Sequence, residues 1–221
     1  GYARQDRKDL PRVPISARMI LDLMSAAGVD RMITMDLHSP QIQGFTNAPF
    51  DNLYSRIVLF NKLKDYNLNI DNGVVLAPDV GSAKMSQSYA KKLGIGFALI
   101  DKRRPKHNVA EVVNLIGELN NRHVFIIDDM IDTAGTICNA AKTAIDNGAK
   151  SVVAVATHAV LSGPAVSRLK EAPIDKIIVS DTINIDKDKL FDKLEVISVA
   201  EVFSEAITRI NKGDSISELF K

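Results

Sequence analysis

Apolar positions along the chain fall into two alternating patterns. Short β-prone runs occur at 31–35, Gly73–Ala77, 95–100, 123–127, 151–157, 176–179 and 195–198. Those at 123–127 and 151–157 are near-continuous, the form of parallel strands covered on both faces. Between the runs, apolar residues recur at helical spacing. Ile15, Met19, Ile20, Leu23, Met24 and Ala27 follow Pro14 and stop at Gly28, which predicts an amphipathic helix with its methionines in the core. Leu53, Ile57, Val58, Phe60 and Leu63 predict a helix within 52–66, and Gly94 closes another that runs to Leu93. Ile137, Ala140, Ala141, Ala144 and Ile145 predict a helix over 137–147; two more are expected after Pro164 and over 200–210. The stretch 41–51 reads as a loop, and 109–119 has helical spacing at Val109, Val112, Val113 and Ile116. Strands alternating with helices predict a three-layer α/β fold around a parallel sheet.

Polar side chains with chemical potential gather where these strands give out, the place where open parallel sheets bind ligands. The run 123–127 ends in Asp128 and Asp129 and continues into Asp132, Thr133, Ala134, Gly135 and Thr136. A small-residue turn entering a helix offers backbone N–H groups to an anion, phosphate above all, and the adjacent carboxylates suit sugar hydroxyls or a hydrated Mg²⁺. Asp132 and Thr133 acting only as helix caps is the plainer alternative. Asp79 follows the run Gly73–Ala77, and His38 follows Asp36 and Leu37 after the run 31–35. Lys102, Arg103, Arg104 and Lys106 crowd behind the run 95–100, a repulsive cluster suited to a polyanion. Near the start, Arg4, Gln5, Asp6, Arg7, Lys8 and Asp9 form a charged loop punctuated by Pro11 and Pro14.

Composition narrows the partners. With 221 residues and 46% hydrophobic content the chain is able to bury one sizeable core or two small ones. A formal net charge of +1 gives no bulk attraction to nucleic acid or membrane, so neither is an expected partner. Cys138 is the single cysteine, which excludes a disulfide framework or cysteine metal cluster and points to a reducing cytoplasm. No apolar run approaches the roughly 20 residues of a membrane span.

The segment D-D-M-I-D-T-A-G-T at 128–136 resembles the phosphoribosyl-diphosphate signature of type I phosphoribosyltransferases. G-Y-A-R-Q-D-R-K-D at 1–9, T-M-D-L-H at 34–38, Q-I-Q-G-F at 41–45, D-K-R-R-P at 101–105 and S-G-P-A at 162–165 narrow the resemblance to ribose-phosphate pyrophosphokinase, from the first residue to Phe220. That resemblance implies two domains of one type I phosphoribosyltransferase-like fold. The first would be present only as 1–52, roughly its last part, the second as 53–209, with 210–221 a closing segment packing on the first. It implies transfer of a diphosphate from Mg-ATP to ribose 5-phosphate. Arg4 and Gln5 would contact ATP, and His38 and Asp79 would hold Mg²⁺. Lys102 and Arg104 would form the catalytic pair on a flexible loop of which 109–119 is an extended arm. Asp128, Asp129, Asp132, Thr133, Ala134, Gly135 and Thr136 would bind ribose 5-phosphate. It also implies a homo-oligomer, a hexamer in the family. Two departures stand out. Asn47 replaces a frequent acid, which removes support for an accessory cation site. Ser82 replaces the second glycine after Asp79, and its hydroxyl is expected to donate to an anion and cap the next helix. A phosphoribosyltransferase and a non-catalytic regulatory subunit are the rivals. The upstream third of the family is absent here, so this chain alone is expected to be inactive.

Overall fold

A computed structural model describes residues 2–8, 10–103 and 112–220, and it divides into two compact units, Gly1–Ser55 with Glu205–Lys221 and Arg56–Ser204. The larger unit contains strands β3 (Gly73–Ala77), β4 (Gly96–Arg103), β5 (Val112–Ile116), β6 (His123–Ile131), β7 (Ser151–Ala159), β8 (Lys176–Ser180) and β9 (Leu194–Ile197). They form one sheet in the order β5-β4-β3-β6-β7-β8-β9, parallel at every step except the edge pair β4–β5.

Both faces of this sheet are covered, which explains the continuous apolar runs. Alternate residues point to opposite faces. Val74, Leu76, Val124, Ile126, Ala154, Ile177 and Val179 pack on one side with Ile137, Ala140, Ala141 and Ala144 of α4 (Gly135–Asp146) and Leu169 of α5 (Ala165–Glu171). Val75, Phe125, Ile127, Val153, Val155 and Ile178 pack on the other with Leu59, Phe60 and Leu63 of α2 (Arg56–Lys64) and Tyr89 and Ala90 of α3 (Ala83–Leu93). The result is the three-layer fold that the pattern predicts.

In the smaller unit, β1 (Met32–Met35) pairs in parallel with β2 (Phe50–Leu53). Helix α1 (Ser16–Ala26) contributes Ala17 and Leu21 to a cluster with Met32 and Ile42. The last helix, α6 (Ala200–Lys212), leads to Phe220, whose ring meets Tyr54 edge-on at 5.4 Å.

The structure corrects several expectations. Met19, Leu23 and Met24 are exposed, not core residues, because α1 turns only its Ala17–Leu21 stripe to the small cluster. Within the stretch read as loop, Pro40–Phe45 is a 3₁₀ helix and Phe50–Leu53 a strand, so α2 starts at Arg56. Asp51 and Asn52 are poor strand formers, yet tertiary contacts hold them there: Arg31 donates to Asp51 at 2.8 Å and the Leu37 N–H to Asn52 at 3.1 Å. The sheet is not wholly parallel, and β4 continues through Asp101, Lys102 and Arg103 in antiparallel register with β5. Residues 112–116 are extended, as the arm implied by the resemblance requires, and pairing with β4 overrides their helical spacing. Finally, β6 runs to Ile131, which puts Asp128 and Asp129 inside the strand and not beyond it.

Phe125 is 1% exposed on β6 and stacks edge-on with Tyr66 at 5.2 Å. Phe125→Ala is expected to lower unfolding stability by about 3–5 kcal/mol, measured by urea denaturation.

Candidate active site

The crevice follows from unequal strand lengths. On one side of β6 the ladder with β3 ends at the pair Leu76↔Ile126; on the other, pairing with β7 continues to Ile131↔Ala159. The stretch from Ile127 onward therefore has a strand neighbour on the β7 side alone among the described residues. Ser86 on α3, itself fully buried, donates to the Ile127 carbonyl at 3.3 Å where β3 has stopped. The next residues are Asp128 and Asp129, and Asp79 lies just past the end of β3.

Three carboxylates now share this gap. Burial, then the charges of Asp129 and Asp79, push the Asp128 carboxyl up to about 8, although its Oδ1 accepts the Asp129 N–H at 2.9 Å. Asp79 is braced locally. Its Oδ1 accepts from the Ser82 N–H at 3.1 Å and from the Ser82 hydroxyl at 3.3 Å. The Ser82 hydroxyl makes no side-chain cap to α3, contrary to expectation, and instead donates to the Asp79 carbonyl and carboxylate.

Past Ile131 the chain turns through Asp132, Thr133 and Ala134 into α4, which begins at Gly135, two residues earlier than its apolar spacing indicates. Ala134 is buried and left-handed, φ 63°, a conformation uncommon for a residue with a side chain. Ala134 at the N-cap position has no side chain that could cap α4, and the first-turn N–H groups form the positive end of the helix dipole. Thr133 and Thr136 are exposed beside them. Asp128, Asp129, Asp132, Thr133, Ala134, Gly135 and Thr136 thus lie on one continuous strand-and-turn, with Asp79 opposite.

The remaining candidates stand elsewhere. Lys102 is placed by its backbone in β4, opposite Val113, and Arg104 lies outside the described residues. Arg4, Gln5 and His38 are exposed and belong to the smaller unit. There the Asp6 carboxylate accepts from Ser39 at 2.5 Å and from Gln41 at 2.6 Å, tying the loop of Arg4 and Gln5 to the segment just after His38. The Ser39 hydroxyl holds Asp6 below the usual carboxylate range. Cys138 is half-buried and its thiol is pushed up by burial, which leaves it a poor nucleophile. Among the described residues no helix is long and apolar enough to cross a membrane.

Comparison with known proteins bears on all of this. Residues 102–221 match the family described as phosphoribosyl synthetase-associated domain, and residues 1–28 match the N-terminal domain of ribose phosphate pyrophosphokinase. The ribose-phosphate pyrophosphokinase of Chlorobaculum tepidum is 50% identical over 220 residues, 100% of this chain and 68% of that protein. The chain belongs to the ribose-phosphate pyrophosphokinase family. The enzyme of the same name from Caldanaerobacter subterraneus is also 50% identical, over 100% of this chain and 69% of its own length. The crystal structure of phosphoribosylpyrophosphate synthetase from Mycobacterium smegmatis superposes with a TM-score of 0.88 at 37% identity, covering 96% of this chain and 69% of that one. The family is one of diphosphotransferases, so the three-layer fold and the enzyme class that the motifs suggested are both established.

Sequence reading passed over two residues of this family member. Ser162 stood only as part of a motif and Arg168 was not singled out, yet both donate to the turn after β6. A lone arginine on a helix carries no sequence signal for such a role. Ser86 was also missed; its signal is a small hydroxyl amid the buried face of α3.

The raised Asp128 has a pH signature. It keeps its proton in the folded protein to about pH 8, whereas an ordinary aspartate in the unfolded chain loses its proton near 3.8. The unfolded state then binds fewer protons, so Asp128 makes stability fall as pH rises across that window. Without ligand, Asp128→Asn is expected to be more stable than the parent at pH 8 and nearly equal at pH 4, read from denaturation midpoints.

Proposed function

We propose that the protein transfers the diphosphate group of Mg-ATP to the 1-hydroxyl of ribose 5-phosphate, forming 5-phosphoribosyl 1-diphosphate and AMP. The observation that carries this is the β6 exit: two carboxylates, a left-handed Ala134 and a helix start in one continuous segment. In this reading the N–H groups and hydroxyls of Asp132, Thr133, Ala134, Gly135 and Thr136 hold the 5-phosphate. Asp128 and Asp129 take the ribose hydroxyls and fix the ring. The sugar's 1-hydroxyl attacks the β-phosphorus, its proton passes to solvent or a carboxylate, and the bond between the β-phosphorus and the oxygen bridging it to the α-phosphorus breaks as AMP leaves. No covalent enzyme intermediate is required.

Asp79, Asp128 and Asp129 supply hard oxygens whose mutual repulsion a divalent cation would relieve, so they fit Mg²⁺. His38 is the further candidate ligand. Among the described residues no three His, Cys, Asp or Glu side chains are grouped so as to hold a metal ion by themselves. Bound there, Mg²⁺ would neutralise phosphate charge. Arg4 and Gln5 would meet the nucleotide, a guanidinium being suited to stacking on adenine or pairing with phosphate. Lys102 and Arg104 would meet charge developing on the transferred and leaving phosphates. We place the reaction in the cytoplasm and in a homo-oligomer. On the same reading 1–52 belongs to a first domain like the second, 53–209, and 210–221 is a closing segment on the first.

The test is release of AMP from Mg-ATP by the protein expressed from its full reading frame. Release should require ribose 5-phosphate and should fall by about 10² or more in Lys102→Ala. AMP-free behaviour with retained affinity for phosphoribosyl diphosphate would point instead to a phosphoribosyltransferase or a regulatory subunit.

A further inference from the structure

We infer that Ser162 and Arg168 are positioning residues that aim the phosphate-binding turn, a role that rests on the sugar-phosphate reading above. Beyond the last strand pair, Ile131↔Ala159, the chains leaving β6 and β7 stay side by side. The Leu161 N–H donates to the Ile131 carbonyl at 3.0 Å, and the Ser162 N–H to the Asp132 carbonyl at 3.0 Å. Arg168, on α5, donates through Nη1 to the Thr133 carbonyl at 3.0 Å. Three successive carbonyls are thereby pinned to one side. Every peptide bond here is trans, so each N–H points away from the carbonyl before it. The N–H groups of Asp132, Thr133 and Ala134 are consequently turned away from the brace, the arrangement of a concave anion site that continues into the first turn of α4.

Side chains reinforce the backbone pairing. The Ser162 hydroxyl donates to Asp132 Oδ1, fixing the acid that opens the turn. The guanidinium of Arg168 lies close enough to Gly135 that a Cβ there would meet Nη1 at 3.7 Å. Its charge thus stands beside the helix start and adds to the field at an incoming phosphate.

Backbone strain shows what the brace holds. Ala134 on the turn has φ 63° and Leu161 on the opposing segment has φ 50°, and both are buried. Two non-glycine residues in the left-handed region persist where surrounding contacts over-determine them. Those contacts are the four donors from 161, 162 and 168. Without Arg168 the Thr133 carbonyl is released, and the turn is free to rotate its N–H groups out of line before phosphate arrives. Affinity for the phosphomonoester should suffer, while affinity for the nucleotide should not.

Steady-state kinetics and titration calorimetry of the full-reading-frame protein with ribose 5-phosphate test this. In Arg168→Ala and Ser162→Ala, the KM and Kd for ribose 5-phosphate should rise about tenfold, the scale of one lost hydrogen bond near a charge. The KM for ATP and kcat should stay within about threefold. Arg168→Lys and Ser162→Thr, which retain donors, should recover most of the affinity, and denaturation midpoints should report whether each variant is folded. Unchanged sugar-phosphate affinity in both folded alanine variants overturns the brace. So does an equal loss for sugar phosphate and ATP that the conservative variants fail to restore. A wild-type protein that does not bind ribose 5-phosphate overturns the functional reading itself, before any variant is compared.

Discussion

Double-sided burial of β6 is the constraint on which the rest of the structure depends. Val124 and Ile126 face α4, and Phe125 and Ile127 face α2 and α3, so both edges of the strand must satisfy their peptide groups within protein. Neighbour strands do this as far as Ile126. From there β3 is gone, and a buried serine on α3 substitutes for it at Ile127. The strand cannot stop at that point, because β7 still pairs with it to Ile131. Asp128 and Asp129 are therefore carried into a partly desolvated gap by a backbone that has no freedom to withdraw them.

That placement costs electrostatic energy, which Asp128 relieves by keeping its proton. Desolvation dominates, with Asp129 and Asp79 adding like charge. A cation or a ring of hydroxyl donors at the same point would reverse the balance, since either favours the ionised form. The tension is a reason to regard the gap as a site: a purely structural strand end would place such groups in water.

The architecture was legible because burial on two faces writes itself as continuous apolar runs, as at 151–157, and because glycines such as Gly94 mark helix ends. The turn at 132–136 was legible from its small and hydroxyl-bearing residues. What failed did so for identifiable reasons. Asp128 and Asp129 looked like strand-end residues because polarity, not pairing, is what sequence displays. Phe50–Leu53 was hidden by two poor strand formers held through Arg31 and Leu37. Met19, Leu23 and Met24 have core spacing, yet a small cluster has room for only one stripe of α1. Arg168 was invisible because its meaning lies in a carbonyl 35 positions away.

Two turns at neighbouring strand ends handle their donors in opposite ways, and the contrast explains the division of labour between them. After β3, Ser82 spends both its N–H and its hydroxyl on Asp79, so that turn is closed on itself and presents a carboxylate. After β6, the carbonyls are the groups that are tied down, by Leu161, Ser162 and Arg168, and the N–H groups are turned outward. One turn is thus an acceptor and the other a donor. A sugar phosphate between strands of this sheet has the complementary polarity, hydroxyl donors at the ring and acceptor oxygens on the phosphorus. The reading proposed above uses that polarity, with the phosphate at the start of α4 and the ring toward Asp128.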